Sequence, residues 1–132
     1  MSPSVASLLA GCLALAGCAT GNDSAVRADA APPERQSSES HRLGQEVFAS
    51  RCEACHAAGR EHPGAMRLEL SRGKDRSVLL ARRDLNAEYV KAIVRNGLLS
   101  MPPFRPTEVS DEELDSLAAY VANEGTRAQE KQ

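Results

Sequence analysis

The pattern of apolar and polar residues is helical only in the second part of the chain. Apolar residues recur at helical spacing between residues 41 and 126, and no segment alternates convincingly as a β-strand would. A first helix is predicted from about Ser40 to Cys52, with Ser38 or Ser40 as its N-cap. Its apolar stripe consists of Leu43, Val47 and Phe48. The pattern therefore predicts an all-α domain.

Two later helices have clear boundary signals. Asn86 is a suitable N-cap for a helix that ends at Gly97. The last helix begins with the capping box Ser110 to Glu113 and is predicted to end near Gly125. Their apolar faces consist of Tyr89, Val90, Ile93 and Val94, and of Leu114, Leu117, Ala118 and Val121.

Two segments lack a clear period. Residues 57–84 contain seven of the sixteen Lys and Arg residues and a predicted turn at His62-Pro63-Gly64. Residues 98–104 read as neither helix nor strand, because two consecutive prolines interrupt them. We expect both segments to be loops.

The N-terminal part has the features of an export signal. Residues 5–16 are apolar and uncharged, which fits a signal peptide and is too short to span a bilayer. The following Leu15-Ala16-Gly17-Cys18 resembles the lipobox of bacterial lipoproteins, which implies cleavage before Cys18 and lipidation of its thiol. An ordinary signal cleaved after Ala16 or Ala19 is the alternative. Either version predicts export, and the lipobox predicts a periplasmic protein anchored to the membrane.

The chain is therefore predicted to have four parts. Residues 1–17 form the lipoprotein-type signal peptide, and residues 18–40, which are polar and proline-bearing, form a flexible linker. Residues 41–126 form the folded domain, and residues 127–132 form a C-terminal tail.

Composition limits what this domain can be. With two Phe, two Tyr and no Trp, its own core is expected to be small, so a bound apolar group would help to stabilise it. The formal net charge of −2 excludes a strongly basic nucleic-acid binder, and no nucleic-acid partner is predicted.

The strongest chemical signal is the segment Cys52-Glu53-Ala54-Cys55-His56. Two thiols at i and i+3 followed by an imidazole form the attachment pattern of c-type haem. Cys52 and Cys55 would bind the porphyrin covalently, and His56 would bind the iron. A structural zinc site is disfavoured because only His41 and His62 remain as further ligands. A redox-active pair of cysteines would require a βαβ context, which the pattern does not show.

Met101 is the candidate for the second axial ligand of the iron. Pro102 restricts Met101 to extended conformations, and both prolines limit the freedom of this segment. A thioether ligand closes the iron to small molecules and suits electron transfer. Ordinary packing is the alternative role for Met101. Met66 is a poor rival, since it follows His56 by only ten residues.

These residues together resemble a class I c-type cytochrome. The resemblance covers the haem motif, the segment from Asn96 to Phe104, and the run from Leu117 to Val121. It implies a cytochrome c-like fold with three to five helices around one covalently attached haem. It also implies that the first and last helices cross, with Gly44 and Phe48 meeting Leu117 and Tyr120. In this family a proline carbonyl after the haem motif accepts a hydrogen bond from the proximal imidazole; the corresponding residue here would be Pro63.

A narrower resemblance concerns the electron donor. Residues 89–104 and 109–114 are similar to the cytochrome subunit of flavocytochromes of the p-cresol methylhydroxylase type. In those proteins a flavin subunit oxidises a 4-alkylphenol and passes the electrons to the cytochrome. The resemblance implies a flavoprotein dehydrogenase as donor, with an oxidase or another cytochrome as acceptor.

The predicted function is one-electron transfer through a single haem, without enzymatic activity of the chain alone. The exposed haem edge is expected to be surrounded by small or apolar residues, namely Ala54, Ala57, Leu98, Leu99, Pro102 and Pro103. Arg67 and Arg82 are the first candidates for pairing with the haem propionates. The alternative function is a haem-based sensor or a peroxidase-like protein whose sixth ligand is labile.

Overall fold

The computed structural model describes residues 33–130, and it places side chains through residue 127. The helices are, in chain order, α1 (Pro33–Val47), α2 (Glu53–His56), α3 (Pro63–Arg72), α4 (Ala87–Asn96) and α5 (Asp111–Glu130). A π-helical turn, Phe48–Cys52, joins α1 to α2, and 3₁₀ turns form at Lys74–Arg76 and Leu79–Ala81. Residues 33–130 contain no β-strand, only an isolated bridge between Leu98 and Met101. The predicted all-α class is confirmed.

Helices α1 and α5 cross at Gly44, as the family resemblance implies. A Cβ atom on Gly44 would overlap the carbonyl oxygen of Ser116 and would lie 2.7 Å from the Cβ of Tyr120. The rings of Phe48 and Tyr120 lie 6.0 Å apart at the same crossing. Glycine therefore allows the two backbones to approach within a distance that any side chain would prevent.

The hydrophobic core lies between α1, α4 and α5. Leu117 and Val109 are its largest fully buried side chains. The other members of the cluster are Val47, Phe48, Leu85, Val94, Leu114, Tyr120 and Val121. Each such aliphatic side chain contributes about 1.5–3 kcal/mol when fully buried. Within the described residues this core contains only two aromatic rings, as the composition suggested.

The caps of α4 and α5 agree with the sequence. The side chain of Asn86 accepts a hydrogen bond from the Tyr89 amide, and Gly97 ends α4 with a φ of 73°. The Glu113 amide donates to the Ser110 hydroxyl, and the Ser110 amide donates to the Glu113 carboxylate. This reciprocal pair satisfies two amides at the N-terminus of α5.

Helix α1 begins earlier than the apolar pattern predicts. It starts at Pro33 rather than near Ser40, so residues 33–40, which composition assigns to the linker, are helical. Residues 33–39 are exposed and polar, and therefore provide no apolar period by which a helix could be recognised. The first turn also contains Glu34, which favours the positive end of the helix dipole.

Helix α5 continues past its predicted end at Gly125 and reaches Glu130. Gly125 does not stop this helix. A Cβ atom there would overlap the carbonyl oxygen of Arg82 and lie 2.8 Å from its carbonyl carbon. The absence of a side chain at Gly125 allows residues 79–82 to pack closely against α5.

Helix α3 lies where a turn and a loop were predicted. Pro63 occupies its first turn, a position that suits a residue without an amide hydrogen. Only Ala65 is buried, while Met66 and Leu70 are exposed, so α3 lacks the apolar stripe that would identify it. Its partner in the fold is α2.

No helix within residues 33–130 is long and apolar enough to cross a bilayer. The predicted signal peptide, Cys18 and the linker up to residue 32 lie outside the described residues.

Candidate functional site

The two cysteines of the motif lie at the junction of the π-helical turn and α2. Cys52 ends the turn, and the Glu53 amide donates to the carbonyl of Phe48, five residues earlier. Cys55 lies in α2, one helical turn further on, and the two thiols are not joined by a disulfide. Residues spaced three apart share a helix face, so the order of these elements suits attachment to one porphyrin edge. Helical turns of the π type are frequent at functional sites.

The two thiols have different environments. Cys52 is half-buried and packs against the hydrophobic core, whereas Cys55 is exposed. Burial raises the pKa of the Cys52 thiol to about 11, with a smaller contribution from Cys55. Reactive cysteines of redox CxxC motifs have lowered pKa values because the thiolate is the nucleophile. The environment of Cys52 therefore argues against a thioredoxin-like role.

The imidazole of His56 is arranged as a metal ligand would be. It is half-buried, and its Nδ1 atom is buried without a hydrogen-bond partner among the described residues. Burial lowers the pKa of His56, which favours the neutral imidazole at physiological pH. Neutral imidazole is the form that binds metals. The hydrogen bond from this ring to the Pro63 carbonyl, which the family resemblance implies, is not formed. Because Nδ1 lies against Gly64, Nε2 is the ring nitrogen left to bind the iron.

Gly64 provides the space for this ring. A Cβ atom on Gly64 would lie 2.8 Å from Cε1 and 2.9 Å from Nδ1 of His56, and 2.7 Å from the Cys55 carbonyl oxygen. These distances are shorter than van der Waals contact. The N-terminal turn of α3 therefore cradles the imidazole, and only glycine fits there.

A hydrogen bond joins the same turn to α2. Nδ1 of His62 donates to the carbonyl oxygen of Ala54 at 3.0 Å. This bond satisfies a carbonyl of α2, a helix of only four residues. Neither this role of His62 nor that of Gly64 was predicted. The only signal in the sequence was the Pro-Gly pair, which indicated a turn.

The segment that contains Met101 is a tight reversal after α4. Leu98 and Met101 exchange two backbone hydrogen bonds of 3.1 and 2.9 Å. Leu99, between them, has a φ of 54°, a conformation uncommon for a leucine. Met101 is half-buried and packs against the same core cluster as Cys52. The structure thus brings the haem motif and Met101 to one hydrophobic core.

Several large apolar side chains are exposed in the described part of the chain. Leu99 is 87% exposed and Leu98 is 42% exposed, and the other large exposed side chains are Met66, Leu70 and Tyr89. Of the residues expected around the haem edge, Ala57 is half-buried and the others are exposed. A small domain with this much exposed apolar surface fits a protein that binds a large apolar group.

The two arginines suggested for the haem propionates differ in their surroundings. The Arg82 guanidinium forms two hydrogen bonds of 2.8 Å to Asp84 and is only 13% exposed. These contacts with Arg82 hold the pKa of Asp84 at about 2. Arg82 is therefore already paired within the protein, whereas Arg67 is exposed.

A zinc site finds no support in the same residues. Within residues 33–130, no group of three or more His, Cys, Asp or Glu side chains is placed to hold a metal ion. Structural zinc requires four ligands in most cases.

Comparison with known proteins identifies the family. The sequence model of the family described as cytochrome c oxidase, cbb3-type, subunit III matches residues 39–121, which include both the haem motif and Met101. Cytochrome c6 of Bryopsis maxima is 33% identical over 86 residues, which cover 63% of this chain and 93% of the relative. No solved structure gives a significant match. The chain therefore belongs to this family of c-type cytochromes, whose members carry covalently attached haem c.

Proposed function

We propose that this cytochrome is a one-electron carrier whose single haem c is attached through Cys52 and Cys55, with His56 and Met101 as axial ligands. The observation that supports it most directly is the half-buried imidazole of His56, which lies against Gly64 directly after the two cysteines of the motif. The packing of Cys52 and Met101 against one core cluster supports the same ligand set. Both features lie within the stretch that matches the family.

The bound haem supplies a one-electron couple, and the residues of the chain determine its ligands and surroundings. His56, neutral because it is buried, provides the nitrogen ligand, and Gly64 leaves room for its ring. The Met101 thioether would raise the reduction potential of the bound haem and would exclude small molecules from its iron. Pro102 and Pro103 restrict the backbone on the C-terminal side of the thioether.

The proposed location is the periplasmic face of a membrane, to which lipidated Cys18 anchors the domain. The apolar leader and its lipobox support this proposal. The proposed donor is a flavoprotein dehydrogenase, supported by the resemblance of residues 89–104 to the cytochrome subunit of p-cresol methylhydroxylase-type proteins. The proposed acceptor is an oxidase or another cytochrome, a class that the family description supports.

The proposal is tested by expressing the full chain in a bacterium with a cytochrome c maturation system. A haem stain that survives denaturing electrophoresis is expected for the unsubstituted chain, and its loss is expected for Cys52→Ala with Cys55→Ala. A colourless product from the unsubstituted chain would contradict the proposal.

The second axial ligand is tested by Met101→Ala, with Met66→Ala as the matched control. Only Met101→Ala is expected to abolish the thioether-to-iron absorption of the ferric protein and to let the reduced protein bind carbon monoxide. If the unsubstituted protein already binds carbon monoxide without denaturant, the sixth ligand is labile. The sensor or peroxidase-like alternative would then replace electron transfer.

A further inference from the structure

Arg95 connects three parts of the chain near the C-terminal end of α4. One terminal nitrogen of its guanidinium donates to the carbonyl oxygens of Phe104 at 3.1 Å and Val109 at 2.9 Å. The other terminal nitrogen lies 2.7 Å from a carboxylate oxygen of Asp111. The side chain is only 21% exposed. A single side chain thus joins α4, the segment after Met101 and the start of α5.

The backbone explains why this connection is needed. The Gly97 amide donates to Ile93, and the Phe104 amide donates to the carbonyl of Val94 at 2.8 Å. Pro102 and Pro103 have no amide hydrogen, so Phe104 has the first amide after Met101 that can hold the segment. The segment after Met101 is therefore anchored to α4 by two groups of Phe104. Its amide donates to Val94, and its carbonyl accepts from Arg95.

The guanidinium group suits this position for a geometric reason. Its donors lie in a rigid plane and can reach two carbonyls and one carboxylate at once. A lysine ammonium is a compact charge on a flexible stem and does not reproduce this arrangement. Val109, whose carbonyl Arg95 binds, is only 1% exposed. The hydrogen bond between Arg95 and Val109 is therefore fixed at the core.

We infer that Arg95 is a positioning residue for the axial thioether. By fixing Phe104 against α4, it holds the Met101 segment in place and slows the departure of the sulfur from the iron. This inference rests on the proposed function, since it takes Met101 to be the second axial ligand. The hydrogen bonds of Arg95 go to Phe104, Val109 and Asp111 rather than to Met101, so Arg95 acts through the backbone.

The test measures how fast imidazole displaces the thioether in the ferric, haem-loaded protein. Arg95→Met is expected to speed the displacement about tenfold, as the loss of hydrogen bonds to a charged donor predicts. Arg95→Lys is expected to give an intermediate rate and provides a variant that retains the charge if Arg95→Met does not fold. Amide hydrogen exchange at Phe104 is expected to rise in both variants.

Lys91→Met is the matched control. Lys91 lies on the same helix and pairs with Asp115 of α5 at 2.7 Å, so its loss also weakens the α4–α5 contact. Its ion pairs go to Glu88 and Asp115 rather than to residues 97–109, so its loss should leave the displacement rate unchanged. If the Arg95 and Lys91 variants lose stability alike and neither changes the rate, Arg95 is only a structural link and the inference is wrong. If the unsubstituted protein lacks thioether absorption, the proposed ligand fails instead, and the inference fails with it.

Discussion

At the scale of single residues, the surroundings of the His56 ring depend on a residue that has no side chain. Gly64 lies against the imidazole and against the carbonyl of Cys55. His62, two residues earlier, holds the carbonyl of Ala54. The turn before α3 and its first residues therefore fix both the backbone of the haem motif and the orientation of its ring.

Gly64→Ala is expected to destabilise the haem-loaded protein by about 1–3 kcal/mol, the usual cost of overpacking. The added methyl would lie 2.8–2.9 Å from two atoms of the ring, so the imidazole must tilt. Denaturant unfolding and the absorption spectrum of the axial ligands measure the two effects. Gly73→Ala is the control, because its φ of 92° produces strain while nothing lies within 4 Å. Equal spectra for both variants would contradict the proposed contact.

The ion pair between Arg82 and Asp84 predicts a pH dependence of stability. The pKa of Asp84 is lowered from 3.8 to about 2, mainly by its hydrogen bonds with Arg82. Because the pKa is lowered in the folded state, the Arg82–Asp84 pair stabilises the fold fully at pH values above 3.8, the pKa of Asp84 in the unfolded chain. This stabilisation disappears as the pH falls through about 2.

Asp84→Asn should therefore be less stable than the unsubstituted protein at neutral pH, and the two should become equally stable only once the pH has fallen below about 2. Unfolding free energies measured across this range test the prediction. A difference between the two proteins that does not change with pH would contradict it.

The residues of the site were predictable to different degrees. Cys52, Cys55 and His56 form a contiguous motif whose spacing reflects the chemistry, and Met101 was suggested by elimination and by the following prolines. The roles of His62 and Arg95 depend on carbonyl groups that the fold brings to them from other segments. Backbone carbonyls leave no mark in a sequence, so these contacts could not be foreseen.

At the scale of helices, the sequence predicts the helix ends that are set by neighbouring side chains. It does not predict the helices and helix ends that are set by packing against distant segments. The caps at Asn86 and Ser110 use side chains close in sequence, and both form as predicted. Gly125 resembles a helix stop but is a packing residue, because its reason lies in the distant Arg82 carbonyl. Helix α3 was missed because a helix with a single buried residue has no apolar period.

Gly125→Ala is expected to destabilise the protein, although alanine favours helices by about 1 kcal/mol. The overlap with the backbone of Arg82 should outweigh this gain, since overpacking costs about 1–3 kcal/mol. Asn123→Ala, at an exposed position of the same helix, is the control and should change stability by no more than about 0.5 kcal/mol. Thermal unfolding distinguishes the two, and a stabilised Gly125→Ala variant would refute the packing role.

At the scale of the whole molecule, the domain has a small core and much exposed apolar surface. The haem is expected to cover part of this surface and to provide a contact between α2 and α3 and the other helices of the domain. Leu99, which is 87% exposed, would then contribute up to about 1.5–3 kcal/mol if fully covered. The partly buried Leu98, Met101 and Phe104 would each contribute less. Because whole domains are stable by only about 5–15 kcal/mol, this contribution is large.

The double variant Cys52→Ala with Cys55→Ala, made without haem, should therefore lose about 3 kcal/mol or more of its unfolding free energy. Circular dichroism during thermal unfolding is expected to show a broad, early transition, in contrast to a sharp one for the haem-loaded protein. Equal midpoints for the two proteins would show that the haem contributes little to folding.

The π-helical turn at Phe48–Cys52 has a consequence for insertions and deletions. Each residue advances an α-helix by about 100° around its axis, so one residue more or fewer before Cys52 changes the phase of everything that follows. Removing a residue there would rotate both thiols and the imidazole away from the core as a group. Length variation between relatives should therefore be excluded from the residues directly before Cys52.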